Sequence, residues 1–492
     1  MFRTLRNRIG SDQDFADPER VNRLTAYNQV LDGTIYDALP FDFHQERNDG
    51  GEYIPLRDRA PSVRFGLCRT VVQDSVSLLF GEGRFPALIT DDVKARDDLA
   101  NFIKATSLAR IMSEAAMIGS VGSVALHMRI LEGRVFYEPM PTTYLTPEFA
   151  SDAPDRLIAV TELYKVKGRD LQRMGYAIDE QLLGSMHWFR RRWDEDQEGW
   201  YIPVPVNSSN MSPERMALDP ERTVRHDLAF CPFVWIRNLP PNKGFDGQCT
   251  FAPAIEAQIE IDYQLSQAGR GLKYSSDPTL VIKEPAAPDG QIVKSAGNAL
   301  VVSEKGDAKL LEIGGTAAAA VVDYVKALRE LALESVHGNR AAADKVSAAQ
   351  SGRAIELSFQ GLVWLADKLR TSYGAGLLAA VELARKATKT GRVKLKDANG
   401  QALTIPDGDL ALQWGPFFAP THQDRQSDAS ALVSLINSGV ISRQTSTGII
   451  AQTYDIDDVE AERALIDAER QAEAKRALEM AAQVKVTETG AA

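Results

Sequence analysis

The stretch from Ala317 to Lys386 constrains this chain more than any other. It reads as two helices facing each other across a short polar break. In the second helix Ile355, Phe359, Leu362, Leu365, Leu369, Tyr373, Leu377 and Val381 recur three to four residues apart, which draws one apolar stripe along a helix. Gly361, Gly374 and Gly376 fall inside it, and each costs about 1 kcal/mol relative to alanine. Tertiary packing must therefore hold this helix straight or use a glycine as a bend. The first helix has a narrower stripe of Val321, Val325, Leu328 and Leu331, with charged residues between. One side of it touches partners and the other faces water. Between the helices, residues 338–350 have few large apolar groups but include Arg340, Asp344 and Lys345, as an exposed loop would.

The N-terminal half supplies further helices. Asp17-Pro18 opens one that stops at Asp32-Gly33, and Val63–Phe80 is a second, stopped at Gly81. A third is expected from Val93 to about Ala116. Alternating Val124, Leu126, Met128 and Ile130 then read as a strand, hairpinned through Glu132-Gly133 to Arg134–Glu138. From Pro139 to Pro240 the pattern is strands and turns, a β-rich lateral unit between helical parts. A helix from Pro253 and the helix from Ala317 bracket a small region of strands, Thr279–Ile282 and Ala299–Val302. Such a helical pair carrying a tip buries little within itself, so neighbouring copies are expected to complete its packing. After the long helix, a hairpin around Asn399-Gly400 and a strand at Leu410–Trp414 are expected to return to the β-rich unit. The remainder is helical, with a stop at Ser438-Gly439.

At 492 residues the chain is too long for one ordinary core. A net charge of −11 argues against a surface that grips phosphate backbones throughout. Three cysteines make no disulfide framework, and no apolar run is long enough to span a bilayer. The basic start, Met1 to Arg8, lacks the apolar region of an export signal.

Chemistry is sparse. There is no phosphate-binding Gly-x-x-x-x-Gly-Lys-Ser/Thr, no His-Glu-x-x-His and no Cys-x-x-Cys. His226, Cys231 and Cys249 would need a fourth ligand to hold zinc, and two small buried thiols are the plainer reading. Arg190-Arg191-Arg192 beside Asp194-Glu195-Asp196 reads as a solvated hairpin end rather than a nucleic-acid or metal site. Asp91-Asp92, Asp97-Asp98 and Asp457-Asp458 do not converge on a ligand when adjacent on a helix, and Gly119-x-x-Gly122 is explained by close backbone packing. No catalytic residue, cofactor or metal site is assigned.

Several stretches together carry a likeness. Val71 to Gly81 ends a helix in Leu-Phe-Gly; Ile261-Asp262-Tyr263 sits mid-helix; Gln350-Ser351-Gly352-Arg353-Ala354-Ile355 opens the long helix; Leu435 to Thr445 precedes Asp457-Asp458-Val459-Glu460. In this order and at these gaps, the chain resembles the portal proteins of tailed bacteriophages, more closely the longer class of siphophages. The resemblance runs from about residue 20 to 475.

That resemblance implies an α+β portal-type fold. Residues 1–252 would be the N-terminal part and β-rich wing, 253–276 and 317–335 two antiparallel stem helices, and 277–316 the clip between them. The tunnel loop would be 336–350, the long bent helix 351–387, the returning wing strands 388–422 and the helical crown 423–492. It also implies a non-enzymatic ring of twelve subunits at one capsid vertex, made in the host bacterial cytoplasm and carried in the virion. Double-stranded DNA would pass through it without sequence specificity. Its partners would be a terminase ATPase, the major capsid and scaffold proteins and a head-tail connector, with no membrane. The tunnel-loop residues His337, Asn339, Arg340, Asp344 and Lys345 would touch DNA, although packing or intersubunit ion pairs account equally well for Arg340 and Lys345. Alanine-rich runs at 317–320 and 341–343 depart from the family pattern and blur the loop boundaries. The alternatives are another ring or head-completion protein of a virus or gene transfer particle, an enzyme acting on nucleic acid, and a membrane-associated protein.

Overall fold

A computed structural model describes residues 1–9, 18–81, 83–90, 93–206, 213–240, 244–276, 279–285, 302–311, 316–338, 359–389, 393–418, 422–453 and 459–489. The chain divides into two compact units, Met1–Ala341 with Ser358–Phe417, and Ala342–Leu357 with Phe418–Ala492.

In the first unit the N-terminal helices are α1 (Phe2–Arg8), α2 (Pro18–Asp32), α3 (Leu67–Phe80), α4 (Val93–Thr106) and α5 (Leu108–Gly119). Short strands β1 (Phe41–Asp42), β2 (Arg59–Ala60) and β3 (Ala87–Ile89) lie among them. Helix α2 stops where expected: Gly33 takes φ +73°, a left-handed conformation open to glycine, and the Thr34 N–H reaches back to Gln29 O. Helix α3 starts at Leu67 rather than Val63, and the residues before it are held differently, as described below. The single helix expected from Val93 is two. Ser107, at φ +53°, breaks it and redirects α5, whose Leu108, Ile111, Met112, Ala115 and Ala116 are buried.

Two antiparallel sheets follow. Strands β4 (Ser123–Leu131) and β5 (Arg134–Pro141) form the expected hairpin. A second group comprises β6 (Leu145–Phe149), β7 (Leu157–Lys167), the short helix α6 (Gly168–Arg173), β8 (Met186–Trp193), β9 (Gln197–Trp200), β10 (Val204–Pro205) and β11 (Val224–Arg225). Its sheet order is β11-β9-β8-β7-β6, with β10 also on β8. Strand β12 (Phe233–Arg237) crosses back to the hairpin and pairs with β4, Trp235 opposite Ala125. An apolar core of Ala125, Leu145, Val160, Trp193, Cys231 and Phe233 draws on both sheets, and side chains alternating along each strand supply it.

Helices α7 (Ile255–Ser276) and α8 (Thr316–Ser335) pack on each other, and strands β13 (Thr279–Pro285) and β14 (Val302–Leu311) between them pair antiparallel, Thr279 opposite Leu311. The strand expected at Ala299–Val302 begins at Val302, with 299–301 outside the described residues.

Helix α9 (Gln360–Lys389) runs unbroken through all three glycines. Their purpose is close approach. A Cβ on Gly376 would sit 2.5 Å from Ile236 Cδ1, and one on Gly374 would sit 3.0 Å from Leu412 Cδ1. The Tyr373 hydroxyl fills the place of a side chain at Gly119, which is the backbone packing expected of that glycine pair. Tyr373 then donates to Asn238 Oδ1 at 3.1 Å, and Asn238 Nδ2 donates to Gln248 O and Thr250 Oγ1. This buried chain of bonds fastens the sheet, α5 and α9 together. The turn at Asn399-Gly400 forms, closed by the Leu403 N–H to Leu395 O. Strand β15 (Ala411–Gln413) corrects one expectation: it pairs with β3, not with the β-rich unit. Trp414, its ring tilted against that of Phe80, and Leu412, packed against Gly374, anchor it beside α3 and α9 instead.

The second unit contains α10 (His422–Asn437), α11 (Arg443–Thr453) and α12 (Val459–Thr489). Gly439, at φ +72°, ends α10 with the Val440 N–H on Leu435 O, and Ser442 Oγ caps α11 by accepting the Thr445 N–H.

Candidate functional site at the base of the helical pair

Helix α7 carries polar side chains Gln258, Asp262 and Ser266 four residues apart, so they stack on one face over successive turns. All three are buried; Asp262 and Ser266 meet the segment that precedes α3, and Gln258 meets the first turn of α3. The Cys68 N–H donates to Gln258 Oε1 at 2.8 Å, the Phe65 N–H to Asp262 Oδ1 at 2.7 Å, and the Val63 N–H to Ser266 Oγ at 2.9 Å. Asp262 and Ser266 thus satisfy the backbone N–H groups of Phe65 and Val63 before α3, Gly66 turns the chain in the left-handed conformation, and Gln258 takes a first-turn N–H of α3 that has no partner within the helix. The Tyr36 hydroxyl donates to the other oxygen of Asp262 at 2.7 Å, and the Tyr263 hydroxyl donates to Arg59 O at 2.8 Å. Burial pushes the Asp262 carboxyl up to about 6, against the bonds from Phe65 and Tyr36 and the charge of Arg64, which pull it down. Ile261-Asp262-Tyr263, singled out in the sequence only as a likeness, therefore joins α7 to the N-terminal helices.

At the same end of the pair, opposite the hairpin tip, His337 has φ +55° and follows α8, with the Gly338 N–H closing on Leu333 O at 2.7 Å. Its exposed ring meets Trp364 of α9 edge-on at 6.4 Å. Gly361 lies under the His337 carbonyl, where an added Cβ would be 3.4 Å away. Of the five tunnel-loop residues singled out in the sequence, His337 alone is described. Asn339, Arg340, Asp344 and Lys345 lie outside the described residues.

The helical pair also presents apolar side chains to solvent. Tyr324 is 48 % exposed and Leu331 63 %, Val322 and Leu272 join them, and Trp364 of α9 is 52 % exposed.

The remaining candidates have structural employment. Arg191 pairs with Glu162 at 2.8 Å and Glu198 at 3.5 Å, Arg192 Nη2 reaches Glu148 at 2.9 Å, and Arg190 lies over the Tyr201 ring. Asp194 Oδ1 accepts the N–H groups of Asp196 and Gln197 in the turn between β8 and β9. Cys231 belongs to the core between the sheets, Cys249 is buried with a free thiol, and burial pushes both thiols up to about 12. Sequence reasoning missed Arg20. It is buried, pairs with Asp246 at 2.6 Å and donates to Leu145 O and Thr142 O. Among the described residues no helix is long and apolar enough to cross a membrane, and no three His, Cys, Asp or Glu side chains cluster as metal ligands would.

The described residues thus make a mixed α/β protein with a helical pair that carries a β-hairpin and a side unit of two antiparallel sheets. The chain belongs to the family of phage portal proteins of the SPP1 Gp6-like type, whose family model matches residues 46–476. Members are structural proteins of the virion and not enzymes, and this chain is one of them. No curated protein sequence matches it. Among solved structures, a chain of the "Virion of native gene transfer agent (GTA) particle" is similar at a TM-score of 0.42 and 12 % identity, over 80 % of this chain and 94 % of that one.

Proposed function

We propose that twelve copies of this chain close into a ring at one vertex of a capsid and form the conduit through which double-stranded DNA enters and leaves. The family match over residues 46–476 carries this reading. In the same reading α7 and α8 are the stem, the β13–β14 hairpin is part of the clip, the two sheets are the wing and α10–α12 the crown. A terminase ATPase docks during packaging and a head-tail connector replaces it, while capsid and scaffold proteins hold the ring in place. The exposed Tyr324 and Leu331 of the stem support it, since a neighbouring subunit is what would cover them. In this reading residues 336–350 are the tunnel loop, in which the cationic Arg340 and Lys345, with His337 beside them, brush the DNA backbone transiently. Net charge −11 suits a channel, because every extra cationic contact adds affinity that moving DNA must break.

The test is the solution mass of the purified chain, read beside averaged electron images. A ring near twelve copies with an open axial channel and a projecting stem is expected. A compact particle without a stem, in any salt or concentration, overturns the reading.

A further inference from the structure

The second unit has almost no core of its own. Among its described side chains only Ser446 and Ala451 are buried, and both are small. Its aliphatic residues come instead in adjacent pairs. Leu432 of α10, Ile450 of α11 and Ile466 of α12 are half-buried, while their neighbours Val433, Ile449 and Leu465 are 56 %, 48 % and 61 % exposed. Adjacent residues on a helix point about 100° apart, so contacts within the unit reach one member of each pair and leave the other outside.

Such helices do not hold by themselves. Helix α11 touches both α10 and α12, and Arg463 Nη2 of α12 donates to Gln444 O of α11 at 2.6 Å. Yet α10 and α11 have only 16 and 11 residues. An isolated helix shorter than about 12–15 residues is marginal in water, and helices in proteins owe most of their stability to an apolar face packed on something else.

Charge narrows what that something is. From Glu460 to Arg476 five acids and four bases are interspersed, close to neutrality. A surface of both signs suits neither a polyanion nor a strongly charged protein, and it complements a copy of itself, acids over bases. Building on the ring reading above, we propose that α10 to α12 become ordered only when the same unit of a neighbouring copy packs on Val433, Ile449 and Leu465. Folding of this unit is thereby coupled to assembly. A partner that reads its surface finds that surface on assembled copies and not on free ones.

Hydrogen–deuterium exchange, followed by mass spectrometry on ring and free chain separated by size, tests this, with dilution or Leu331→Glu supplying free chain. Amides of α10 and α11 should exchange about a hundredfold more slowly in the ring than in free chain, while the buried α9 is equally protected in both. Val433→Ser with Leu465→Ser, both at exposed positions, should lower the protection of α10 and α11 in the ring by about tenfold and leave α9 unchanged. Free chain whose α10 and α11 are as protected as in the ring overturns the proposal, as does a double variant with wild-type protection in the ring. A chain that forms no ring in any salt or concentration overturns the ring reading and the proposal together, and mass alone identifies that case.

Discussion

Replacing Asp262 separates the two things this side chain does. Its oxygens receive the Phe65 N–H and the Tyr36 hydroxyl, each at 2.7 Å, and it is 0 % exposed. Asp262→Ala orphans two buried donors at about 1–3 kcal/mol each, so a loss of roughly 2–6 kcal/mol is expected at pH 5. Asp262→Asn behaves differently, because its amide oxygen accepts from Phe65 while its NH₂ donates to the Tyr36 oxygen. The carboxyl itself carries a pH dependence. Its folded-state value, about 6, lies above the ordinary 3.8, so the native chain binds the proton more tightly than the unfolded chain. The resulting stability is fully present below pH 4 and is lost as pH rises through 6, for a total of about 3 kcal/mol at roughly 1.4 kcal/mol per unit. The wild type should therefore weaken, relative to Asp262→Asn, between pH 4 and pH 7.5. Urea unfolding of both chains across that range measures it. Parallel pH profiles for the wild type and the Asn variant would refute the reasoning, as would an Ala variant no less stable than Asn at pH 5.

Other outcomes follow from the same geometry. Gly376→Ala forces a Cβ into Ile236 and should lower stability by about 1–3 kcal/mol, seen as a reduced thermal midpoint with unchanged far-ultraviolet circular dichroism. Arg20→Met removes the near partner of the mostly buried Asp246 and should cost about 3–5 kcal/mol by denaturant titration, whereas Arg23→Met, at 4.0 Å from the same carboxylate and partly exposed, should cost under about 1 kcal/mol. Leu331→Glu should leave the monomer folded and reduce assembly, read as a shift from ring to monomer in sedimentation; an undiminished ring would remove Leu331 from the subunit contact. Arg340→Ala with Lys345→Ala should slow DNA packaging while the ring mass stays constant if these residues touch DNA, and a changed mass would assign them to intersubunit pairing.

Helix ends were the most legible features of this sequence, because local chemistry decides them. Gly33 and Gly439 adopt the left-handed turn that stops a helix, and Gly81 ends α3. The stripe from Leu362 to Val381 likewise foretold a long buried helix. What the sequence hid depends on distant contacts. Nothing around Leu410–Trp414 says that its partner is Ala87–Ile89, more than three hundred residues earlier. The break at Ser107 was hidden because its neighbours are ordinary helix formers. Gln258, Asp262 and Ser266 did leave a signal, a polar ladder at intervals of four on a helix with apolar neighbours, but only the fold reveals that backbone N–H groups wait opposite it. At the tunnel loop the order of motifs named the candidates, and His337 alone can be given surroundings.

That ladder has a mechanical meaning. Its rungs sit on three consecutive turns of α7 and clasp a strap of chain running the other way, from Val63 to Cys68. Turning the helix about its axis, or sliding it along by a few ångströms, would unfasten all three rungs at once. Small slippage is thereby suppressed. A force applied to α7 is handed directly to the start of α3, and the two helices respond as a single strut.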